Sequence, residues 1–277
     1  MAGELYIVAT PIGNLEDITL RAIRTLKEVD IIAAEDTRQT LKLLNHLEIS
    51  KPLISYHRHN EEIKTKELIN KLLEGKNIAL VSDAGTPVIS DPGGEIVKEA
   101  IKEEIKIIPI PGPCALITAL IASGMDAKEF TFIGFLPQNK KNRKEKLEQI
   151  KNAENTLILY EAPHKLLQTL EELKSIIDKR KVVLARELTK IHEEFKMGTI
   201  EELQKDIINP KGEYVIIIEK NEKTKEQIKL ENLNNLTIEE HYKYYEEIGL
   251  DKKEIIKKVA KDRNLNKNEV YKKFLKQ

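Results

Sequence analysis

With 277 residues, 40% of them hydrophobic, the chain has room for one large or two ordinary domains and a small appendage. Its 46 Lys and Arg balance its 46 Asp and Glu, so the overall field gives no reason to expect polyanion binding. One cysteine excludes an intramolecular disulfide, no Cys and His cluster has zinc-site spacing, and the largely apolar stretch 113–125 is too short to span a membrane. The Met1-Ala2-Gly3-Glu4 start has no basic, apolar signal-peptide pattern, which points to a cytoplasmic protein.

Short apolar runs at 5–9, 30–34, 53–55, 77–82 and 106–110 alternate with helical patterns, predicting a mostly parallel sheet with covering helices over 1–125. Pro113 suits the first turn of a helix on which Leu116, Ile117, Leu120 and Ile121 form one apolar face. A second α/β lobe is predicted over 126–220. Its strands at 130–136, 156–160, 182–186, 194–198 and 214–219 outnumber its helices, which suggests a mixed sheet. One of those helices is capped by Thr199 with Glu202.

Residues 221–235 are polar and aperiodic and are expected to be a linker. A three-helix, helix-turn-helix-like tail, expected to dock RNA or the ribosome, follows over 236–277, marked by the capping pairs Thr237/Glu240, Asp251/Glu254 and Asn266/Glu269. Ile255, Ile256, Val259, Ala260, Val270, Tyr271, Phe274 and Leu275 are its candidate core, and Asn264 or Asn266 supplies the tight turn in place of a glycine. The basic charge is confined to two patches, with six basic and two acidic residues over 140–151 and ten basic and four acidic over 251–277.

Three loops follow strand-like runs and precede helix-like segments: Ala9-Thr10-Pro11-Ile12-Gly13-Asn14, Ser82-Asp83-Ala84-Gly85-Thr86-Pro87 and Ile110-Pro111-Gly112-Pro113-Cys114-Ala115. Each brings bare backbone to the strand ends where open α/β sheets bind ligands, which suggests one shared small-molecule site. These loops resemble the tetrapyrrole methylase superfamily. Within it they resemble the branch of small-subunit rRNA methyltransferases that act on the 2′-hydroxyl of a cytidine in 16S rRNA. Ala34-Glu35-Asp36-Thr37-Arg38, Ser55-Tyr56-His57-Arg58-His59-Asn60-Glu61, Gly134-Phe135-Leu136-Pro137, Tyr160-Glu161-Ala162-Pro163-His164, Ala185-Arg186-Glu187-Leu188-Thr189-Lys190 and Gly212-Glu213-Tyr214 extend the likeness across residues 5–219.

The resemblance implies S-adenosylmethionine as methyl donor, held in a cleft between two α/β lobes of a homodimer. It implies that Pro11, Asp83, Gly85, Thr86, Pro87, Cys114, Ala115, Leu136 and Tyr160 line the cofactor. Methylating an alcohol needs positioning and a proton acceptor. Glu35, Asp36 and His164 are candidates for the acceptor, with Arg38 beside them, although Asp36 could equally cap the helix that follows and pair with Arg38. Cys114 is a small packing residue by this chemistry. Arg186 can hold a phosphate or be satisfied by Glu161 or Glu187.

His57 and Asn60 can contact a single-stranded RNA, and Lys140, Lys141, Arg143 and Lys144 can meet its phosphates, where a solvated helix face is the plainer alternative. The expected partners are 16S rRNA or the 30S subunit and a second copy of the chain, with no metal. Two other functions compete: methylation of a tetrapyrrole precursor, and a non-catalytic RNA-binding assembly factor on the same scaffold. The Lys140–Lys144 run, the basic tail and the motifs at Glu35 and Glu161 argue against the first, and intact cofactor loops against the second.

Overall fold

The computed structural model describes residues 1–177, 179–221, 230 and 232–274, the side chains of 272–274 excepted. Five short strands, β1 (Leu5–Val8), β2 (Ile31–Ala34), β3 (Leu53–Ser55), β4 (Ile78–Val81) and β5 (Ile107–Ile110), form a wholly parallel sheet in the order β3-β2-β4-β1-β5. Helices α1 (Leu20–Glu28), α2 (Thr37–His46), α3 (Glu61–Leu73) and α4 (Gly94–Lys102) cover it on both faces. The period-2 rule explains why its central strand is apolar throughout. Ile78 and Leu80 enter one core with Leu68, Leu72 and Ile96, while Ala79 and Val81 enter the other with Leu26 and Leu44.

The second sheet is mixed. Strands β6 (Phe130–Phe135), β7 (Thr156–Glu161), β8 (Val182–Arg186), β9 (Glu194–Gly198) and β10 (Tyr214–Ile218) lie in the order β6-β7-β10-β8-β9; β6 and β7 are parallel and the other pairs antiparallel. Its helices are α6 (Lys140–Lys151), α7 (Pro163–Lys174) and α8 (Ile200–Asp206), the last with the full Thr199/Glu202 capping box.

One helix corrects the division at residue 125. Helix α5 (Ala115–Ala122) leaves the first sheet but buries Leu116, Ala119 and Leu120 against Ile158, Val183, Val215 and Ile217 of the second. The two lobes accordingly form one compact unit, residues 1–150 with 155–219. The cap of α5 is Cys114, so Pro113 stands one residue before the cap and not in the first turn. Ile117 and Ile121 are exposed, 42% and 75%, so the buried stripe is Leu116-Ala119-Leu120 and narrower than the sequence suggested.

The second unit comprises residues 151–154 and 220–277. Among its described residues are the helices α9 (Ile238–Glu247), α10 (Lys252–Asp262) and α11 (Lys267–Phe274). Thr237/Glu240 and Asp251/Glu254 both form reciprocal capping boxes. Asn264 makes the turn at φ 53°, the role its short polar side chain tolerates. Leu233, Tyr245, Ile255, Ile256, Val259, Ala260 and Val270 are buried together.

The expected linker therefore ends early, since residues 232–235 are helical and Leu233 belongs to this core. Residues 222–229 and 231 of that segment lie outside the described residues. Tyr271, expected inside, is 46% exposed. Phe274 and Leu275, with Lys272 and Lys273, lie outside the described side chains.

Candidate active site

The C-terminal ends of β1, β2, β4 and β5 converge on a cavity of about 300 Å³ closed on its other side by the second sheet. Its floor is backbone. Thr10 and Gly85 exchange two main-chain hydrogen bonds, 2.8 and 3.0 Å, joining the loops after β1 and β4. Gly85 sits at φ +86°, and a Cβ there would meet Ile12 Cγ2 at 3.2 Å. The Thr86 hydroxyl donates to the Pro113 carbonyl at 3.0 Å, fastening the third loop to the second. The three-loop convergence anticipated from spacing is thus built by specific bonds.

Lobe two contributes Phe135, Tyr160, Leu188, Lys190 and Glu213 to the walls. The Tyr160 hydroxyl accepts from the Leu116 backbone at 3.0 Å, and its ring packs edge-on against Phe132 and Phe135. A register shift in β6 between Phe132 and Gly134, the latter at φ +71°, turns Phe135 to the cavity with half its surface exposed. Gly13 lets the lobes meet, since a Cβ there would lie 2.6 Å from Lys190 Cγ and 3.0 Å from the Leu188 carbonyl.

Of the residues expected to hold the cofactor, Asp83, Gly85, Thr86, Cys114, Ala115 and Tyr160 line the cavity. The other three expected residues give way to neighbours. Ile12 lines it where Pro11 was expected and Phe135 where Leu136 was, Leu136 being buried, while Ile89, Ser90 and Asp91 stand beyond the buried Pro87.

The candidate catalytic residues separate. Glu35 is in the cavity wall, and burial, with the Asp83 charge next, pushes its carboxyl above the ordinary range. Asp36 is the N-cap of α2, accepting from the Arg38 backbone at 2.9 Å and pairing with the Arg38 guanidinium at 2.7 Å, which holds its carboxyl down at about 2. Its own backbone N–H donates to Asp83 Oδ1 at 2.9 Å, so the loop after β2 is tied to the cofactor loop after β4. His164 is exposed at the start of α7, outside the cavity lining.

The residues expected to bind RNA separate too. Lys140, Lys141 and Lys144 are exposed on α6. Arg143, on the same helix, turns inward at 13% side-chain exposure: its Nε donates to Glu172 at 2.7 Å and its Nη2 to Thr169 Oγ1 at 2.8 Å. Asn60 bonds the His57 backbone and the Ser55 carbonyl, forming the turn ahead of α3. Arg186 pairs with Glu194 at 2.6 Å; neither Glu161 nor Glu187, the partners considered from sequence, is the one found. Glu161 is instead buried, accepting from Thr169 at 2.6 Å and from the Ala162 backbone.

Sequence reasoning missed Asp91. Its carboxyl lines the cavity, and burial followed by the Glu35 charge pushes it up to about 6. Its signal was the Asp91-Pro92-Gly93-Gly94 run just past the second loop. Carboxylates from both lobes, Glu35, Asp83, Asp91, Glu161, Glu187 and Glu213, thus line a cavity whose single lining lysine is Lys190, with apolar walls at Ile12, Ala115, Leu188 and Phe135. Such a site suits a cation with an apolar portion. Among the described residues no group of three or more His, Cys, Asp or Glu is arranged to hold a metal, and no helix is long and apolar enough to cross a membrane.

Comparisons with known proteins agree with this architecture. Residues 4–204 match the family model for tetrapyrrole (corrin/porphyrin) methylases. The chain is 54% identical over 275 residues to the ribosomal RNA small subunit methyltransferase I of Halalkalibacterium halodurans, and 50% identical over 273 residues to that of Bacillus subtilis. Each alignment covers 97% of this chain and 93% of the relative. Among solved structures, a diphthine synthase superposes with TM-score 0.64 at 16% identity, covering 82% of this chain and 95% of that one. A uroporphyrin-III C-methyltransferase from Thermus thermophilus, complexed with S-adenosylhomocysteine, superposes with TM-score 0.57 at 17% identity, covering 78% and 97%.

Proposed function

The chain belongs to the tetrapyrrole methylase family, and from that premise we propose that it transfers a methyl group from S-adenosylmethionine to the ribose 2′-hydroxyl of a cytidine in 16S rRNA. The observation that carries this reading is its 50–54% identity, nearly end to end, with relatives named for small-subunit rRNA methylation. The cavity fits the cofactor on its own chemistry. A sulfonium and an ammonium suit its carboxylates, an adenosine suits its apolar walls, and bare backbone at Gly85 leaves room for close approach.

Asp83, Gly85, Thr86, Cys114, Ala115 and Tyr160 would hold the cofactor, which when bound supplies an electrophilic methyl on sulfur. The protein's own part is to exclude water, orient the ribose hydroxyl and accept its proton. Glu35 is the acceptor in this reading, because it stands in the wall with a raised affinity for protons. Asp36 and Arg38 fix the loop that carries it.

Lys140, Lys141 and Lys144, with the lysines of α10, meet the phosphate backbone, and two copies of the chain act together as the family resemblance implies. Incubation with methyl-labelled cofactor and either 16S rRNA or 30S particles, followed by digestion and mass spectrometry, tests the reading. Label on the ribose of one cytidine is the expected result. Label on a base, or none on RNA with label on a tetrapyrrole precursor, overturns it.

A further inference from the structure

The segment 55–61, in which sequence marks His57 and Asn60 for RNA contact, turns several of its side chains inward. Tyr56 is fully buried, and its hydroxyl donates to Glu61 Oε1 at 3.2 Å and meets Thr65 Oγ1 at 2.9 Å. Glu61 Oε1 also accepts from the backbone N–H of Gly93 at 2.9 Å and of Glu95 at 3.4 Å. It thereby closes the N-terminus of α4, whose capping glycine has no side chain to do so, and a carboxylate is favoured at that end of a helix. Arg58 Nη2 donates to the Ser90 carbonyl. One segment therefore fastens the later part of the loop between β4 and α4, at Ser90 and at Gly93.

That loop has an unusual backbone. Val88 and Ser90 lie at φ 75° and 68°, and left-handed backbone is rare for a β-branched residue. Gly93 lies at φ +135°, where a Cβ would meet Leu80 Cδ2 at 2.7 Å and Val88 Cγ2 at 2.8 Å. Such conformations persist where their surroundings over-determine them. Here the bonds from Arg58 and Glu61 do so, and the result is that Ile89, Ser90 and Asp91 reach the cavity wall.

Asp91 faces Glu35 from the end of β2, Asp83 after β4, Arg58 after β3 and Tyr160 from lobe two. Across the cavity stand Glu187, Lys190 and Glu213. A hydrogen bond from Ser82 and the Arg58 charge oppose the rise that burial and Glu35 impose on its carboxyl. A carboxyl raised by burial and by a neighbouring carboxylate in the same cavity wall takes up a proton more readily than an ordinary aspartate.

We propose that Asp91 is the second carboxyl of a proton-accepting pair with Glu35, and that Arg58 and Glu61 are positioning residues that set it in the cavity through the 88–93 loop. The inference rests on the methyl-transfer reading above. The oxygen–methyl bond forms as the carbon–sulfur bond breaks with its electron pair left on sulfur, and the hydroxyl proton passes to the pair and on to solvent. One positive charge enters as sulfonium and one leaves as the proton, so the balance closes.

The test compares wild type with Asp91→Asn, Glu35→Gln, Glu61→Gln, Arg58→Met and Arg58→Lys. The readouts are kcat against pH on 30S particles, calorimetric affinity for S-adenosylmethionine, and carbon-13 NMR titration of the aspartate carboxyls in the ligand-free protein. In wild type one aspartate should titrate near pH 6, and kcat should rise through the same range. Asp91→Asn should remove that signal and lower kcat at least tenfold, a larger loss than any it causes in cofactor affinity.

Glu35→Gln should return the Asp91 midpoint toward the ordinary aspartate range. Glu61→Gln and Arg58→Met should lower kcat severalfold and move the Asp91 midpoint, with Arg58→Lys retaining more of both. An Asp91 that titrates as an ordinary aspartate, or an Asp91→Asn protein with wild-type kcat and pH profile, overturns the pair. If wild type leaves rRNA unmethylated, the functional reading fails and takes the pair's role with it, while the titration still decides whether the two carboxyls are coupled.

Discussion

Replacing Arg143 by alanine separates a structural residue from the RNA-facing lysines around it. Arg143 spans from α6 to α7: its guanidinium bonds Glu172 at 2.7 Å and Thr169 at 2.8 Å, and Thr169 in turn donates to the buried Glu161 at 2.6 Å. Truncation removes two short bonds from a cation and leaves Glu172, itself 29% exposed, without its partner. A fully buried pair broken in this way costs ~3–5 kcal/mol. Water reaches the Glu172 side chain, so about 2–3 kcal/mol is expected here, made up chiefly of two charge-assisted hydrogen bonds at ~1–1.5 kcal/mol each after solvent exchange.

For a unit of this size that loss corresponds to a fall in Tm of about 5–10 °C. Scanning calorimetry of Arg143→Ala beside Lys144→Ala makes the comparison, because an exposed lysine on the same helix should change stability by less than about 0.5 kcal/mol. Filter binding of rRNA should show the opposite order, with Lys144→Ala the weaker binder. An Arg143→Ala protein as stable as wild type, with rRNA affinity reduced like that of the lysine variants, would refute the inward placement of this side chain.

Gly85→Leu should abolish cofactor binding in calorimetry while the fold persists, because φ +86° and Ile12 at 3.2 Å leave no place for a side chain on the cavity floor; unchanged affinity in a folded protein would remove the site from this loop. Asp36→Asn should keep turnover within about threefold, since asparagine caps helices as well as aspartate, whereas Glu35→Gln should lower it at least tenfold; equal turnover in both variants would place the proton acceptor elsewhere. The cap of α2 has its own pH dependence. Asp36 is held down at about 2 first by the Arg38 side chain and then by the Arg38 backbone, so its contribution is complete above the ordinary aspartate range and is lost only as pH falls from about 4 toward 2. Deleting residues 220–277 should leave cofactor binding and pairing of copies unchanged, raise KM for 30S particles and weaken the salt dependence of rRNA binding; a truncated protein that binds rRNA as before, or that becomes monomeric, would show that the tail does not dock RNA.

Much of the fold was legible because its signals are local. Alternating apolar runs specified the parallel sheet, and the pairs Thr199/Glu202, Thr237/Glu240 and Asp251/Glu254 specified helix starts that the structure builds as reciprocal boxes. The partners of the charged side chains were not legible, because they come from other elements. Nothing in Lys140-Lys141-Asn142-Arg143-Lys144 distinguishes the arginine that turns inward from the lysines that do not, since its acceptors are 26 and 29 residues away. Arg186 likewise takes Glu194 from the neighbouring strand, a pairing set by the β8–β9 register and not by sequence proximity. Helix α5 was readable as apolar, but which sheet it covers depends on a tertiary choice, and so the lobe boundary was drawn through one core.

The distribution of charge ties these elements to the proposed chemistry. A chain of net charge +0 has a cavity with six carboxylates and one lysine in its lining, while exposed lysines gather on α6 and α10. A cationic methyl donor is therefore drawn to the carboxylates of the cavity and a polyanionic acceptor to the exposed lysines. Exposed phosphate contacts are screened within about 8–10 Å at ordinary ionic strength, whereas charges in a half-buried cavity are screened less. Rising salt should consequently weaken rRNA binding steeply and cofactor binding only slightly. That difference follows from placement, because the total charge alone assigns the chain to neither ligand.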